Sequence, residues 1–208
     1  MTTPLVANAF NRAGTTAAKF LKATDDASMV IADRFQELAH RGQMFSFSIT
    51  AATVPVNAAT LASKWGLYNP ANSGILIELV DVEAHYVVAT TVVSALGIYY
   101  SSGSNATGAT FTTPATNENC RVGEGPKPVG SGYSAVTHVG TPALLDIVGG
   151  WGAVTDGSST VVYKNFTQGK RILLPPATLI AFAMTTAAST ASGISGTCTW
   201  VETPYVPI

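Results

Sequence analysis

From residue 43 onward apolar and polar positions mostly alternate in twos; before it the clearest spacing is helical. "MFSFSIT" sets Phe45, Phe47 and Ile49 against Ser46, Ser48 and Thr50, the pattern of a half-buried strand. "ILIELVDVEAHYVV" is nearly continuous in apolar residues at its start and alternates later, as a long strand does. "KWGLYN", "VVSALGIYY", "PALLDIVGGWGAV", "STVVYKNF" and "SGTCTWVETPYVPI" read as further strands or strand and turn. Between them lie Gly/Pro/Asn/Ser stretches, among them "NPANSG", "SSGSNATGATFTTPATNENC" and "VGEGPKPVGSGYS". The pattern predicts roughly eight to ten strands, with no strand–helix alternation and no repeat of fixed period. An immunoglobulin-like domain would need a Cys–Trp–Cys spacing that is absent, and the strand lengths are uneven. The fold class expected is all-β, a jelly-roll-like antiparallel β-sandwich.

"ILLPPATLIAFAM" (172–184) interrupts the most apolar run with Pro175 and Pro176. Two prolines cannot serve a ladder, so they mark a corner between two apolar segments. Beyond it Leu179, Ala181 and Ala183 share one strand face and Ile180, Phe182 and Met184 the other. With both faces apolar, a symmetry mate is expected over the second.

The N-terminal residues differ. Residues 1–24 hold small residues, Arg12, Lys19 and Lys22 and no acid, and read as an extended arm. In "DDASMVIADRFQELAHRG" (25–42), Asp25, Asp26 and Ser28 are candidate N-caps and Ile31, Phe35 and Leu38 recur at i, i+4, i+7. His40 and Arg41 suit the C-terminal end, and Gly42 the C′ position. One short helix of about four turns is expected. The chain then divides into an arm and helix (1–42) and a sandwich (43–208).

Charged residues are only 11% of the chain, net charge is −1 and the pI is near 6.3. That argues against a nucleic-acid binder, and a surface of small neutral residues suits an assembled particle. No apolar run reaches the ~18 residues of a membrane span, and the N-terminus has no apolar leader core, so synthesis in the cytoplasm is expected. Cys120 and Cys198 are too few for a disulfide framework; Cys198 reads as a small core residue and a bridge between them as the less favoured alternative.

Chemistry-bearing patterns are sparse. Asp81, Glu83 and His85 share a strand face, but same-face neighbours stand ~7 Å apart, too far for all three to close on one ion on a straight strand. His40 and His138 have no ligand pattern around them. No Gly-x-Ser-x-Gly occurs, and "GEGPKPVG" lacks the Walker spacing and reads as a mobile surface loop. Nothing selects Glu118 and Glu124 as a glycosidase pair. Trp200 is expected in the core; Trp151, flanked by glycines, is the best single ligand-contact candidate, although a sheet-edge or subunit contact is the simpler role. The expectation is a non-enzymatic protein with no catalytic residue, metal or cofactor.

Two stretches carry a resemblance. "NFTQGKRILLPPATLIAFAMTTAASTASGISGTCTWVETP" has a strand, a Leu-Pro-Pro corner, an apolar strand, a small-residue hairpin and a strand ending Trp-x-Glu. "WGLYNPANSGILIELVDVEAHY" has an aromatic strand, Asn-Pro, a glycine turn and a long apolar strand. Together they resemble head decoration (cement) proteins of tailed bacteriophages and related jelly-roll spike modules. The resemblance implies a homo-oligomer, a trimer being favoured, on the capsid surface of a virion, with the major capsid protein as partner. Phe10, Phe20, Ile31, Phe35 and Leu38 would then anchor residues 1–42 on the capsid. The alternative is a receptor- or glycan-binding module presenting "SSGSNATGATF", "RVGEGPKPVGSGY" and "VGGWGAVTDGSS" to a host surface glycan through Trp151.

Overall fold

The computed structural model describes residues 21–23, 29–31, 34–53, 62–63, 65–88, 93–123, 125–151, 161–167, 170–186 and 193–207. Ahead of the sandwich come β1 (Leu21–Ala23), β2 (Met29–Ile31) and α1 (Arg34–His40). The sandwich strands are β3 (Met44–Thr53), β4 (Ala62–Ser63), β5 (Gly66–Asn69), β6 (Ile75–Val88) and β7 (Ser94–Ser102). After β7 come α2 (Ser104–Thr107), β8 (Thr110–Pro114), β9 (Asn117–Asn119) and β10 (Ser131–Thr137). The chain closes with β11 (Ala143–Trp151), β12 (Val161–Asn165), β13 (Leu173–Leu174), β14 (Thr178–Met184) and β15 (Gly193–Pro204).

One sheet runs β12-β6-β15-β3-β9 and the other β11-β7-β14-β5-β10-β4, all pairs antiparallel. Eight of these strands suffice to define the fold. Taken in chain order as the first to the eighth (β3, β5, β6, β7, β11, β12, β14, β15), they pair 1-8-3-6 in one sheet and 2-7-4-5 in the other. That order is the jelly roll, two interleaved Greek keys. The expected all-β sandwich is therefore present.

The excursion between β7 and β11 closes one side of it. β10 extends one sheet from β5, and β9 extends the other from β3. On the opposite side, among the described residues, β11 and β12 are the outermost strands of their sheets and leave that side open.

Period-two sequence becomes core directly. Phe45, Phe47 and Ile49 of β3 and Trp200 of the adjacent β15 pack with Trp65, Leu67, Ile180 and Phe182 in one buried cluster. Trp65 and Phe182 rings lie 4.3 Å apart, and Phe47 meets Trp200 edge-on at 5.9 Å. Each such side chain, fully withdrawn from water, contributes about 2–3 kcal/mol. Cys198 and Trp200 are both fully buried, as expected. Gly132 of β10 lies over Phe47: a Cβ there would come within 2.4 Å of the ring, so only glycine lets β10 cross this close.

The double proline sits where the chain leaves one sheet for the other. β13 pairs with β6, β14 with β5 and β7. Pro175-Pro176-Ala177 makes the corner, with Ala177 at φ 59°, and the Ala177 carbonyl accepts the Gly103 N–H at 2.9 Å. Fully buried Asn69 staples the corner from below, donating Nδ2 to the carbonyls of Leu174 and Ile75 at 2.8 and 3.0 Å.

The cover over the second face of β14 differs from expectation. Every residue of β14 is buried within the single chain. Leu179 packs with Ala106 of α2 and Val136 of β10, against Tyr68, Phe111 and Tyr133, whose rings stack at 4.7 and 4.5 Å. A polar, glycine-rich stretch thus folds back and supplies the cover assigned to a symmetry mate. Its aromatics stand singly between Thr, Gly and Ser, so no window of sequence marks it as core.

The helix is shorter than expected. α1 has seven residues, about two turns, and Ile31 lies on β2, paired with Leu21. "MVI" places two β-branched residues in succession, which favours a strand, and a short isolated helix is marginal in water. The helix end is as expected: Gly42, at φ 70°, gives its N–H to Ala39 and Gln43 gives its own to Leu38, a Schellman closure. The N-cap candidates Asp25, Asp26 and Ser28 lie outside the described residues, as do Phe10 and Phe20.

Candidate interaction surface

Three polar clusters are the natural places to look for chemistry. Asp81, Glu83 and His85 point outward from β6, and the neighbouring rungs are Asn165, Tyr163 and Val161 of β12. His85 Nε2 lies 2.9 Å from Glu83 Oε1, while Asp81 bonds the Thr199 hydroxyl. Burial, with the Glu83 charge adding to it, raises the Asp81 carboxyl above its usual range, against the lowering pull of Thr199. Among the described residues no three His, Cys, Asp or Glu side chains are placed to hold a metal ion.

Ser101 and His138 form the second cluster, Oγ to Nδ1 at 3.0 Å, both buried. Burial lowers the His138 pKa, and Ser101 stands opposite Leu179, the β14 residue that packs with Ala106 of α2 and Val136 of β10. Sequence separation hid it: the partners are 37 residues apart.

The third cluster seals the open side. Lys164 of β12 crosses to β11, bonding Asp146 Oδ1 at 2.9 Å and the Ile147 carbonyl at 2.7 Å. Lys170 bonds the Leu145 carbonyl at 2.9 Å and approaches Asp146 Oδ2 at 3.8 Å. Burial would raise the Asp146 carboxyl; the bonds from Lys164 and the Ile147 amide, with the charges of both lysines, outweigh it and hold the pKa below the usual value.

Other candidates fall into structural places. Glu202, closing the Trp-x-Glu element, is buried and accepts from the Val129 and Gly130 amides at 3.0 and 2.8 Å and from Trp200 Nε1 at 3.1 Å. Asn119 Nδ2 bonds the carbonyls of Gly42 and Pro126 at 2.8 and 3.0 Å. "GEGPKPVG", read from sequence as a mobile loop, is thus tethered at Pro126, Val129 and Gly130. Glu118 is exposed on β9, and Glu124 lies outside the described residues. Cys120 and Cys198 are both free, and burial pushes the Cys198 thiol well up.

Phe35 and Leu38 are half-buried, and their helix is tied to the sandwich: Arg34 Nη2 meets buried Glu78 Oε2 at 2.8 Å, and Arg171 Nε approaches Oε1 at 3.5 Å. Trp151 ends β11 opposite Ser94, where β7 begins. "SSGSNATGATF" leaves from the other end of β7, about 25 Å away at 3.3 Å per residue. Trp151 and the start of that stretch therefore stand at opposite ends of β7. Nothing is described of the Trp151 side chain itself.

The outer faces differ in kind. β6 carries Glu78, Asp81, Glu83 and His85 on one, whereas β5, β7 and β14 of the other sheet contain no charged residue. Around the open side, Leu144 and Ile147 of β11 are 49% and 45% exposed, with Val161, Tyr163 and Leu173 at 49%, 56% and 48%. Chemically this arrangement offers apolar contact. Compared with known proteins, the chain matches no family model, no curated protein and no solved structure. The class of protein that the fold defines is a jelly-roll sandwich with an added edge excursion.

Proposed function

We propose that this chain is a non-enzymatic structural protein of a bacteriophage virion, decorating and stabilising the capsid through oligomeric jelly-roll domains. The observation that carries the reading is the eight-strand jelly-roll order, an architecture used by viral capsid proteins and lectins alike, joined to three strands of one sheet, β5, β7 and β14, that carry no charged residue. Burial of interface area across several capsid subunits would stabilise the shell by mass action and avidity. In this reading residues 1–42 lie along the major capsid protein, with Phe10, Phe20, Ile31, Phe35 and Leu38 as the apolar anchors, and α1 stays bound to the sandwich through Arg34 and Glu78.

The test is the position of the protein in purified particles, by antibody labelling and imaging, with co-sedimentation of the full chain and undecorated heads. Surface labelling of heads and loss of binding in Phe10→Asp/Phe20→Asp are the expected results. A chain absent from particles, or one whose double variant binds heads with full affinity, would defeat the reading.

A further inference from the structure

We infer that the open side of the sandwich, the outer flank of β11 and β12, is the surface through which one copy of this chain meets another. The inference rests on the oligomeric reading above and deepens it by naming the surface. Leu144 and Ile147 project from one outer face, and Val161, Tyr163 and Leu173 from the other, so apolar side chains wrap both flanks of one side. The opposite side is filled by the chain's own β9 and β10.

Strand addition is not the mode of contact. Lys164 and Lys170 already occupy the Ile147 and Leu145 carbonyls, and β11 shifts register twice, between Leu144 and Asp146 and between Ile147 and Gly149. Lysines and bulges on an outermost strand block an extended peptide from pairing there. What remains is side-chain packing against a folded surface.

Charge and area point to a second copy. Asp146 is shared by Lys164 and Lys170, and Glu78 by Arg34 and Arg171, so each acid already stands beside two cations of its own chain and calls for no charged partner. With a net charge of −1, two copies repel little. Nine residues of β11 span about 30 Å, and a sandwich about 10 Å thick with side chains on both flanks is roughly 25 Å across. The resulting ~750 Å² is close to the ~800 Å² per partner of a standard interface. A two-fold contact uses one such patch twice.

The experiment is sedimentation velocity on the full chain from about 1 to 100 µM, for wild type and for Ile147→Asp/Tyr163→Asp. Val206→Asp, at an exposed apolar site on the far C-terminal segment, is the control. The wild type and the control are expected to self-associate, and the double variant to weaken association at least ~30-fold, as loss of central apolar contacts does. Circular dichroism melts must show the variants folded; if the double variant melts early, Ile147→Ser/Tyr163→Ser replaces it. A wild type monomeric at 100 µM, or a folded double variant that associates like wild type, would overturn the inference. Head binding separates the two claims. A chain that binds heads as a monomer defeats this inference alone, and does so too if the double variant then loses head binding, which makes the surface capsid-facing. Self-association through this side without head binding defeats the capsid reading and leaves the inference standing.

Discussion

Lys164 spans the two sheets on their open side to reach Asp146, Nζ to Oδ1 at 2.9 Å. The same ammonium holds the Ile147 carbonyl, so one side chain joins the outermost strand of one sheet to that of the other. The Asp146 carboxyl is held below its usual pKa by its lysine and amide partners, which overcome the effect of burial. The stability it contributes is therefore present above the unfolded value near 3.8 and is lost as pH falls through the folded value. Asp146→Asn is expected to cost about 1 kcal/mol at pH 7, since the lysines are partly exposed. The difference from wild type should shrink below pH 4. Urea denaturation of both proteins at pH 7 and pH 3 measures this; an equal difference at both pH values would show that the charge is not the cause.

Glu202 ties the tail of the 121–130 segment to the end of β15. Its carboxylate receives two backbone amides and the Trp200 indole, and hydrogen bonds to a charged acceptor are worth roughly 1.5–3 kcal/mol. Glu202→Ala leaves all three donors without their acceptor. The expected result is a loss of about 3 kcal/mol and new tryptic cleavage after Arg121, the basic residue of the segment that no proline follows, under native conditions. Cleavage no faster than in wild type would mean that Asn119, through Pro126, holds the segment by itself.

The strands that carry the jelly roll were legible because each buries one face. "ILIELVDVEAHYVV" is β6 residue for residue, and the Leu-Pro-Pro corner falls where the chain changes sheets. β10 and α2 were not legible. "SGYSAVT" has only Tyr133 and Val136 to bury, and Gly132 is there because Phe47, 85 positions earlier, leaves no space for a Cβ. Long-range constraints of that kind leave no local period. The same holds for Ser101 with His138 and for Lys164 with Asp146, whose pairing is fixed only once the sheets stack. The helix was overextended because Ile31, Phe35 and Leu38 fit a helical stripe, while the strand preference of Val30 and Ile31 decided the local structure.

Ala177 holds a left-handed backbone conformation at φ 59°, which costs an L-residue about 1 kcal/mol. Its position is fixed from both sides, by Pro176 before it and by the Gly103 N–H on its carbonyl. Ala177→Gly removes the strain but loosens the unfolded chain, so the melting temperature is expected to hold or rise slightly. Ala177→Val, β-branched at positive φ, is expected to lose at least 2 kcal/mol. Thermal melts of the two variants decide the point: a destabilised glycine variant would show that the Ala177 methyl packs favourably enough to outweigh its backbone strain.

His138 gives the fold an acid-side weakness that Asp146 does not explain. Burial lowers its folded pKa beneath the usual imidazole value of 6.5, so the unfolded chain takes up the proton first. By linkage, stability is whole above about pH 6.5 and declines as pH falls from there toward the folded value. The Ser101 hydroxyl, able to donate or accept, does not itself oppose the imidazolium; exclusion from water does. Its partner Ser101 stands opposite Leu179, which packs with Ala106 and Val136, so charging His138 is expected to loosen that cover before the main core. His138→Gln keeps a polar partner for Ser101 and removes the titration. Wild type should lose stability between pH 7 and pH 5 and the variant should not, with Tyr68, Phe111 and Tyr133 reporting by near-ultraviolet dichroism. Parallel pH profiles for the two proteins would place the acid sensitivity elsewhere.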